Sequence, residues 1–379
     1  MSSTQSRVVT PRNAYHAVFV PGDGIGPEVA WAARRVVHAA GVDVVWEDVP
    51  VGQELFLRTG RAVPESAVKA FQKIPVILKG PLDSAGAGII QNPNLEISEA
   101  LNVFASVRRC RFMEGTPAPW HGFDLMLIKR EGPRSIYPCD IKSTGNLEGV
   151  DGEGAELERG ASDIRIVKRA DLYRFIDFGF THASRTGRKR ICVAHKKNVM
   201  KNTEKMFLDV AEEVAERYPA IEVEDQLVDH VALQLARAPG RFDVILVDDL
   251  YGDVLGDLAV GISGGLGLAP QAQYGTRGVL FGTVHGTSPK YAGLDCANPC
   301  AMILAACEML EHMGERKASA IIENGVCRVL AQGLHTRDLA QADRTGLIGA
   351  RGFTDAVIGN ILAGSLWGRK GLGRGVRED

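Results

Sequence analysis

Short apolar runs alternate with helical patterns along most of this chain. The runs "HAVFVPG", "VDVVWEDV", "PVILKG", "RICVAH" and "FDVILV" are each followed by a segment that has apolar residues at helical spacing. Strands and helices that alternate in this way build an open sheet whose faces the helices cover. We therefore predict an α/β fold, with a last hundred residues that are mostly helical.

The composition is that of a globular protein and excludes several classes of function. The 379 residues are enough for two domains, and 45% are hydrophobic and 24% charged. A net charge of −2 gives no electrostatic basis for binding nucleic acid or a membrane. No run is long enough to span a membrane, and the first residues lack the apolar core of a signal peptide. The seven cysteines form no C-x-x-C pair, so we expect reduced thiols and a cytoplasmic protein.

The segment "VILVDDLYGDVLGDLAVG" carries acids inside one of the most apolar parts of the chain, namely Asp248, Asp249, Asp253 and Asp257. Its first residues predict a buried strand and the rest a helix. Burying a carboxylate costs several kcal/mol unless something pairs with it. One interpretation is that Asp249 or Asp253 caps the helix and the other acids are solvated. The other is that Asp253 and Asp257, four apart on one helix face, bind Mg²⁺ or Mn²⁺.

Two glycine-rich loops and one polar segment complete the pattern. "VPGDGIGPEV" lacks the glycine spacing of a dinucleotide-binding fingerprint, so a tight turn before a helix explains it better. "ILKGPLDSAGAGI" is entered through Lys79, and its backbone amides could hold an anion. The stretch from Tyr137 to Gly160 is rich in glycine and acids, which predicts an arm or loop outside the core.

Seven segments, in chain order, are "FVPGDGIGPEV", "ILKGPL", "NVFASVR", "GTPAP", "HKKNVMK", "LYGDVLGDLAVGISGGLGLAP" and "VHGTSPKYAGLDCANP". Together they resemble the β-decarboxylating dehydrogenases, which include isocitrate, isopropylmalate, homoisocitrate, tartrate and D-malate dehydrogenases. The resemblance implies a two-domain isocitrate/isopropylmalate dehydrogenase-like fold of open sheets flanked by helices. It implies a large cofactor-binding domain of residues 1–102 and 264–379. The small dimerisation and metal-binding domain would be residues 103–263, with a protruding arm at about 137–165.

The same resemblance implies a divalent metal site and a homodimer. Asp253 and Asp257 match the metal-binding aspartates of the family's LYGD-x-L-x-D segment. "VDHVALQL" gives Asp229 as a third metal carboxylate, which in this family reaches across the dimer interface. "HKKN" gives Lys196 as the lysine that assists proton removal from the substrate hydroxyl, also across the interface.

The substrate implied is a 2-hydroxy acid with a carboxylate on C3, which is oxidised at C2 and loses CO₂. "SVRR" and "REGPRSIY" give Arg108 and Arg130 as arginines for its carboxylates, because a planar guanidinium binds a carboxylate through two bonds. Tyr137 corresponds to the residue that returns a proton to carbon after decarboxylation.

The cofactor residues favour NADP, with NAD as the alternative. The matching segments imply that a nicotinamide nucleotide contacts Lys79, Asn198, His285, Gly286, Lys290, Tyr291, Asn298 and Arg337. Lys290 and Tyr291 stand where NADP-using relatives resemble "KY", and a lysine can pair with a 2′-phosphate. Arg337 could add a second charge. Ala297 resembles the NAD type, Gly282 replaces a common glutamate, and Gln341 stands where some NADP enzymes have an arginine.

The substrate loop departs from the family. The first substrate arginine falls on Ser98, while the positions that contact the C3 substituent fall on Asn92 and Asn94. Arg134 stands where an acid is usual. We therefore predict an isocitrate-like substrate with a non-standard anionic arm on C3, such as a phosphonomethylmalate of phosphonate biosynthesis. An ordinary isocitrate or homoisocitrate dehydrogenase is the alternative, and a non-catalytic regulatory subunit is the alternative of another class.

Overall fold

A computed structural model describes residues 14–83, 92–132, 136–139, 162–340 and 345–370. The strands are β1 Tyr15–Val20, β2 Val44–Asp48, β3 Val76–Lys79, β4 Val103–Arg111, β5 Asp124–Arg130, β6 Ile136–Cys139, β7 Ser162–Arg165, β8 Arg190–His195, β9 Glu222–Leu227, β10 Val244–Val247, β11 Pro270–Gly275 and β12 Val279–Thr283. The helices are α1 Gly26–Ala39, α2 Gln53–Thr59, α3 Glu65–Lys73, α4 Pro93–Leu101, α5 Arg169–Arg185, α6 Lys201–Ala215, α7 Val228–Arg237, α8 Asp249–Ile262, α9 Cys300–His312, α10 Arg316–Ala331 and α11 Ala350–Lys370.

Ten of the described strands form one continuous sheet, in the order β2-β1-β3-β12-β11-β4-β5-β10-β8-β9. The two outer parts of the sheet are parallel, as the alternation of strands and helices predicts. The centre is antiparallel, because β4 pairs in that sense with both β11 and β5. The predicted α/β class with helices on the sheet faces is confirmed, and a single sheet runs through both predicted domains.

Four apolar clusters hold the helices on the sheet. In one half, the large cluster around Phe353 packs α1, α9, α10 and α11 on one face, and the cluster around Phe71 packs α3 and α4 on the other. In the other half, α5 and α6 meet the sheet around Phe175, and α7 and α8 meet it around Leu255. Both faces of each half are therefore covered, which is why the strands are continuous apolar runs.

The carboxyl ends of four parallel strands lie at one edge of the sheet. These strands are β5, β10, β8 and β9, which are neighbours and run in the same direction. Arg130 ends β5, Asp248 follows β10, Lys196 follows β8 and Asp229 follows β9 by two residues. Carboxyl ends of parallel strands are the usual place for a site in an α/β protein. The topology thus brings together charged residues that are up to 118 positions apart.

The first glycine-rich loop is a tight turn, as its spacing predicts, and Pro27 lies in the first turn of α1. Gly22 and Gly24 have φ angles of 86° and 58°, in the left-handed region. A Cβ on Gly22 would lie 2.3 Å from the Pro81 carbonyl oxygen, and one on Gly24 would lie 2.1 Å from that of Thr287. Both positions therefore need glycine, because the loops after β3 and β12 pack directly on the turn.

The predicted arm begins and ends in an antiparallel ribbon of β6 and β7, separate from the main sheet. Residues 140–161 of the arm lie outside the described residues. The cysteines whose side chains are described are free thiols. In the part of the chain that the structure describes, no helix is both long and apolar enough to cross a membrane.

Candidate active site

The junction of β10 and α8 is held by a buried carboxylate. Asp248 is 1% exposed and caps α8, accepting a hydrogen bond from the Asp249 backbone N–H. Arg130 and Arg165 both donate to its carboxylate. The interpretation in which Asp249 or Asp253 caps this helix therefore does not hold. Asp248 occupies the cap because it directly follows the strand and two guanidinium groups compensate its burial.

Arg165 links this junction to helix α6. Its guanidinium donates to Glu204 at 2.9 Å, and the Glu204 side chain is fully buried. The other Glu204 oxygen accepts a hydrogen bond from the Lys196 backbone N–H at 3.1 Å. Burial alone would lower the pKa of Arg165, but the neighbouring carboxylates of Asp248 and Glu204 raise it. The network therefore fixes the arm's last strand, α6, α8 and the Lys196 loop relative to one another.

Asp253 and Asp257 lie one turn apart on α8, and Arg108 reaches both of them. Arg108 is 7% exposed and donates to Asp257 at 2.8 Å, with Asp253 at 3.8 Å. The two aspartate side chains are 62% and 68% exposed. Their carboxylates therefore face solvent on one side and a buried guanidinium on the other.

A second cation at these aspartates is Lys129, which the sequence analysis missed. Its ammonium lies 2.6 Å from the Asp253 carboxylate and 3.0 Å from that of Glu131. Burial acts to lower the pKa of Lys129, but Glu131 and Asp253 outweigh it and raise that pKa above its ordinary value. Asp253 and Asp257 are thus each paired with a basic side chain from the central sheet.

Lys196 and Asp229 form a pair on neighbouring elements. The Lys196 ammonium donates to the Asp229 carboxylate at 2.5 Å, and this bond is the main cause of the lowered pKa of Asp229. Asp229 lies in the first turn of α7, and Lys196 begins the loop after β8. The structure brings these two predicted residues together, and Asn198 lies exposed in the same loop.

Asp253 and Asp257 fit a divalent ion in donor type and in spacing. Mg²⁺ and Mn²⁺ prefer carboxylate oxygens together with water and substrate oxygens, and both side chains are open to solvent. Within the described ranges, no group of three His, Cys, Asp or Glu side chains could hold a metal ion. Asp229, the third metal carboxylate that the sequence predicts, is instead paired with Lys196.

A pocket of about 310 Å³ in the other half of the molecule contains much of the predicted cofactor set. Its lining includes His285, Tyr291, Ala297, Asn298 and Arg337. The His285 Nδ1 atom lies 3.0 Å from the Gly286 carbonyl oxygen, whereas its buried Nε2 atom has no hydrogen-bond partner in the described structure. Burial lowers the pKa of His285. An unpartnered ring nitrogen in a half-apolar pocket fits a nucleotide base, which can supply the missing hydrogen bond.

Two cations converge on one ring at the edge of this pocket. The Lys290 ammonium lies 4.9 Å from the centroid of the Tyr291 ring, and the Arg337 guanidinium carbon lies 5.8 Å from it. Lys290 and Arg337 are both exposed. Neighbouring Asp338 has its carboxylate in hydrogen bonds from Asn298 and Thr336. The Tyr291 edge is therefore a place where an anionic group would meet two positive charges.

Lys79 contacts one of the predicted substrate residues. Its ammonium donates to the Asn94 side-chain oxygen at 3.0 Å, and burial lowers the pKa of Lys79 to about 8 against the opposing charge of Asp23. Asn92 caps α4 by accepting from the Asn94 backbone N–H at 2.9 Å. Ser98 lies half-buried on the same helix. A predicted cofactor residue, Lys79, is thus in direct contact with a predicted substrate residue, Asn94.

Three residues named in the sequence analysis have side chains outside the described structure. Arg134 lies outside the described residues, as does Gln341. Tyr137 belongs to β6, and the position of its side chain lies outside the described structure.

Comparison with known proteins decides the family. The family described as "Isocitrate/isopropylmalate dehydrogenase" matches residues 16–357. The chain belongs to the isocitrate/isopropylmalate dehydrogenase family. Members of this family are oxidoreductases that act on a CH–OH group, and the chain is accordingly an NAD(P)- and divalent-metal-dependent enzyme of oxidative decarboxylation. Enzymes of the family bind small hydroxy acids and often function as dimers.

Individual relatives agree on the family and differ in substrate. The isocitrate/homoisocitrate dehydrogenase of Thermus thermophilus is 36% identical over 91% of this chain and 98% of its own length. The 3-isopropylmalate dehydrogenase of Archaeoglobus fulgidus is 35% identical over 85% of this chain and 93% of its own length. The crystal structure of isocitrate dehydrogenase from Methylococcus capsulatus has a TM-score of 0.81 at 33% identity, and the match covers 92% of this chain and 99% of that one.

The family resemblance found Arg108 and the α8 aspartates but gave no sign of the buried residues behind them. Lys129 could have been noticed from the sequence, because it is a charged residue that directly follows the apolar run "LMLI". Arg165 and Glu204 carry no such signal. Their contact joins residues 39 positions apart on different elements, and only the tertiary structure creates it.

The Asp248 junction generates a prediction about stability. Asp248→Asn keeps the side-chain volume but removes the charge that compensates two buried guanidinium groups. We expect the free energy of unfolding in urea to fall by on the order of 3–5 kcal/mol at fixed protein concentration. Asp209→Asn is the control, because it removes an exposed carboxylate paired with Lys205 and should cost less than about 0.5 kcal/mol. An equally small decrease in the free energy of unfolding of both variants would contradict the role given to Asp248.

Proposed function

We propose that this enzyme oxidatively decarboxylates a malate that carries a non-standard anionic arm on C3, with NADP and Mg²⁺ or Mn²⁺, in a homodimer that shares its active sites. The observation that carries the proposal is the meeting of two solvent-facing carboxylates, Asp253 and Asp257, with buried Arg108 and Lys129. Such a site suits a divalent ion together with an acid that bears several negative charges.

The side chains of this chain would supply binding and proton transfer. Arg108 and Arg130 would bind substrate carboxylates, and the buried Arg108 Nε atom finds no acceptor within the described residues. Lys196 would take the proton from the C2 hydroxyl, and Tyr137 would return a proton to the carbon that loses CO₂. The chemistry that the bound metal and nicotinamide would supply is polarisation of the hydroxyl and acceptance of the hydride.

A shared site explains why Asp229 and Lys196 are paired away from the α8 aspartates. Both are half-buried or exposed, and no described group of three ligands forms within one chain. A second copy of the chain would add the third carboxylate and the lysine together. An isologous dimer would complete two equivalent sites in this way.

Mixing two inactive variants tests the shared site. Asp253→Asn and Asp229→Asn should each lower turnover by more than about a hundredfold, because each removes one metal carboxylate from every site. Dimers that contain one copy of each variant would have one intact site. A random mixture of co-expressed subunits should therefore regain about a quarter of wild-type activity per chain. Each variant alone is the control, and a mixture as inactive as its parents would contradict a site shared between subunits.

NADP is the proposed cofactor because Lys290 and Arg337 converge on Tyr291 beside the pocket that contains His285. A 2′-phosphate at that edge would meet two positive charges, whereas a 2′-hydroxyl gains little from them. Ala297, which resembles the NAD type, also lines this pocket.

The cofactor proposal predicts a shift in preference. Lys290→Asp should lower kcat/KM for NADP⁺ by about ten- to a hundredfold relative to NAD⁺, since one charge-assisted contact is worth roughly 1.5–3 kcal/mol. Lys317→Asp makes the same charge change on α10 and should leave the ratio of kcat/KM for NADP⁺ to that for NAD⁺ unchanged. Equal losses for both cofactors in Lys290→Asp would show that this lysine does not contact the phosphate.

The substrate proposal rests on Ser98 and the polar residues before it. A serine cannot replace the two-bond carboxylate contact of an arginine, and Asn92 and Asn94 would be poor neighbours for an isopropyl group. Arg134, four positions after Arg130 in the sequence, would supply the missing charge. A phosphonomethyl group is one C3 substituent that this arrangement would suit. The alternative substituent is the carboxymethyl group of isocitrate.

A substrate panel tests this choice with the pure chain and Mg²⁺. Isocitrate and isopropylmalate should have kcat/KM values on the order of 10²–10⁴ below that of the preferred armed malate. Arg134→Ala should harm the armed malate far more than plain malate, and Arg58→Ala is the surface control. A high kcat/KM for isocitrate that Arg134→Ala leaves unchanged would contradict the proposal and identify an ordinary isocitrate dehydrogenase. No turnover with any acid or either cofactor would assign a regulatory subunit.

A further inference from the structure

Lys129 lies on the same face of the sheet as Arg108. In the pairing of β4 with β5, Lys129 is opposite Ser106, and Ser106 is two residues before Arg108 on its strand. Successive residues of a strand alternate between faces, so all three side chains point toward α8. Lys129 is 6% exposed and Ser106 is fully buried, with no hydrogen-bond partner for the Ser106 hydroxyl within the described residues.

Two glycines of α8 make room for these basic side chains. A Cβ on Gly252 would lie 2.3 Å from Lys129 Cγ, and one on Gly256 would lie 2.6 Å from Arg108 Nη1. Glycine inside a helix is less stable than alanine, so helix formation does not favour it. The glycines leave space beside the helix for the two basic side chains. Lys129 passes Gly252 to reach Asp253, and Arg108 passes Gly256 to reach Asp257.

Two basic side chains meet three carboxylates at this point, because Lys129 also lies 3.0 Å from Glu131. Lys129 neutralises Asp253, and Arg108 neutralises Asp257. A divalent ion on the two aspartates would take those partners away from both cations. The buried Lys129 ammonium would then keep only Glu131 as a partner, in a region of excess positive charge. It would therefore need another anion. The anion that arrives with the metal is the substrate.

We propose that Lys129 is a specificity-determining residue, which releases Asp253 when the metal binds and holds the anionic C3 arm of the substrate instead. This inference rests on the proposed function and adds Lys129, beside Arg134, as a second cation that compensates for Ser98. It commits to an arm that ends in a carboxylate or phosphonate, the groups whose oxygens accept hydrogen bonds from an ammonium. An ion pair with a purely structural role is the competing explanation.

Metal binding without turnover tests the release of Asp253. Mn²⁺ affinity of the substrate-free protein is measured by electron paramagnetic resonance for wild type, Lys129→Met and the control Lys205→Met, which removes an exposed lysine on α6. Lys129→Met should bind Mn²⁺ roughly three- to tenfold more tightly, because Asp253 loses its competing partner. A structural role predicts weaker binding. Unchanged or weaker Mn²⁺ binding overturns the proposal that Lys129 releases Asp253 when the metal binds. Lys129→Gln provides the same test if the methionine variant misfolds.

Turnover of three acids tests the contact with the arm. D-malate has no arm, isocitrate has a carboxymethyl arm, and 3-(phosphonomethyl)malate has a phosphonate arm. Lys129→Met should lower kcat/KM by about ten- to a hundredfold for the armed acid that wild type prefers, and by less than about threefold for D-malate. The acid with the larger loss identifies the terminal group.

The two possible failures are distinguishable. Equal losses on armed acids and D-malate overturn the inference about Lys129 and leave the proposed function in place. An absence of wild-type turnover with every acid overturns the proposed function and, with it, the specificity role of Lys129.

Discussion

The interaction on which the site depends is the buried carboxylate of Asp248 between two guanidinium groups. It joins the end of β5, the end of the arm and the start of α8, and Arg165 continues the network to Glu204. A buried carboxylate of this kind is tolerated only when cations and a helix N-terminus compensate its desolvation. Once α8 is fixed at this point, the direction of every later side chain on that helix is fixed with it.

The fixed helix determines what the next two acids can do. Asp253 and Asp257 follow at helical spacing, face solvent, and receive one buried cation each from the central strands. Their charge is balanced but their oxygens remain accessible, which suits a ligand that carries its own positive charge. Arg108 and Lys129 are then the groups best placed for the anions that accompany that ligand. Binding of metal and of substrate would consequently be coupled through charge.

Much of this could be predicted from local sequence. Alternating apolar runs predict the sheet and its helices, because each run needs only its own periodicity, and the helical spacing of Asp253 and Asp257 needs only the geometry of one element. The sequence did not indicate Asp248 as the cap, because its place there depends on Arg130 and Arg165, which reach it from 118 and 83 positions away. Contacts between such distant positions follow from strand order, and local periodicity carries no information about it.

The central claim is that the α8 aspartates of one subunit and Asp229 of another together hold a divalent ion. Anomalous scattering from crystals grown with Mn²⁺ tests it most directly, because the ion and its ligands are located without any assumption about the reaction. The account predicts one strong anomalous peak per subunit, bound by Asp253 and Asp257 of one chain and Asp229 of its partner. A peak elsewhere, or one whose protein ligands all come from a single chain, would contradict it.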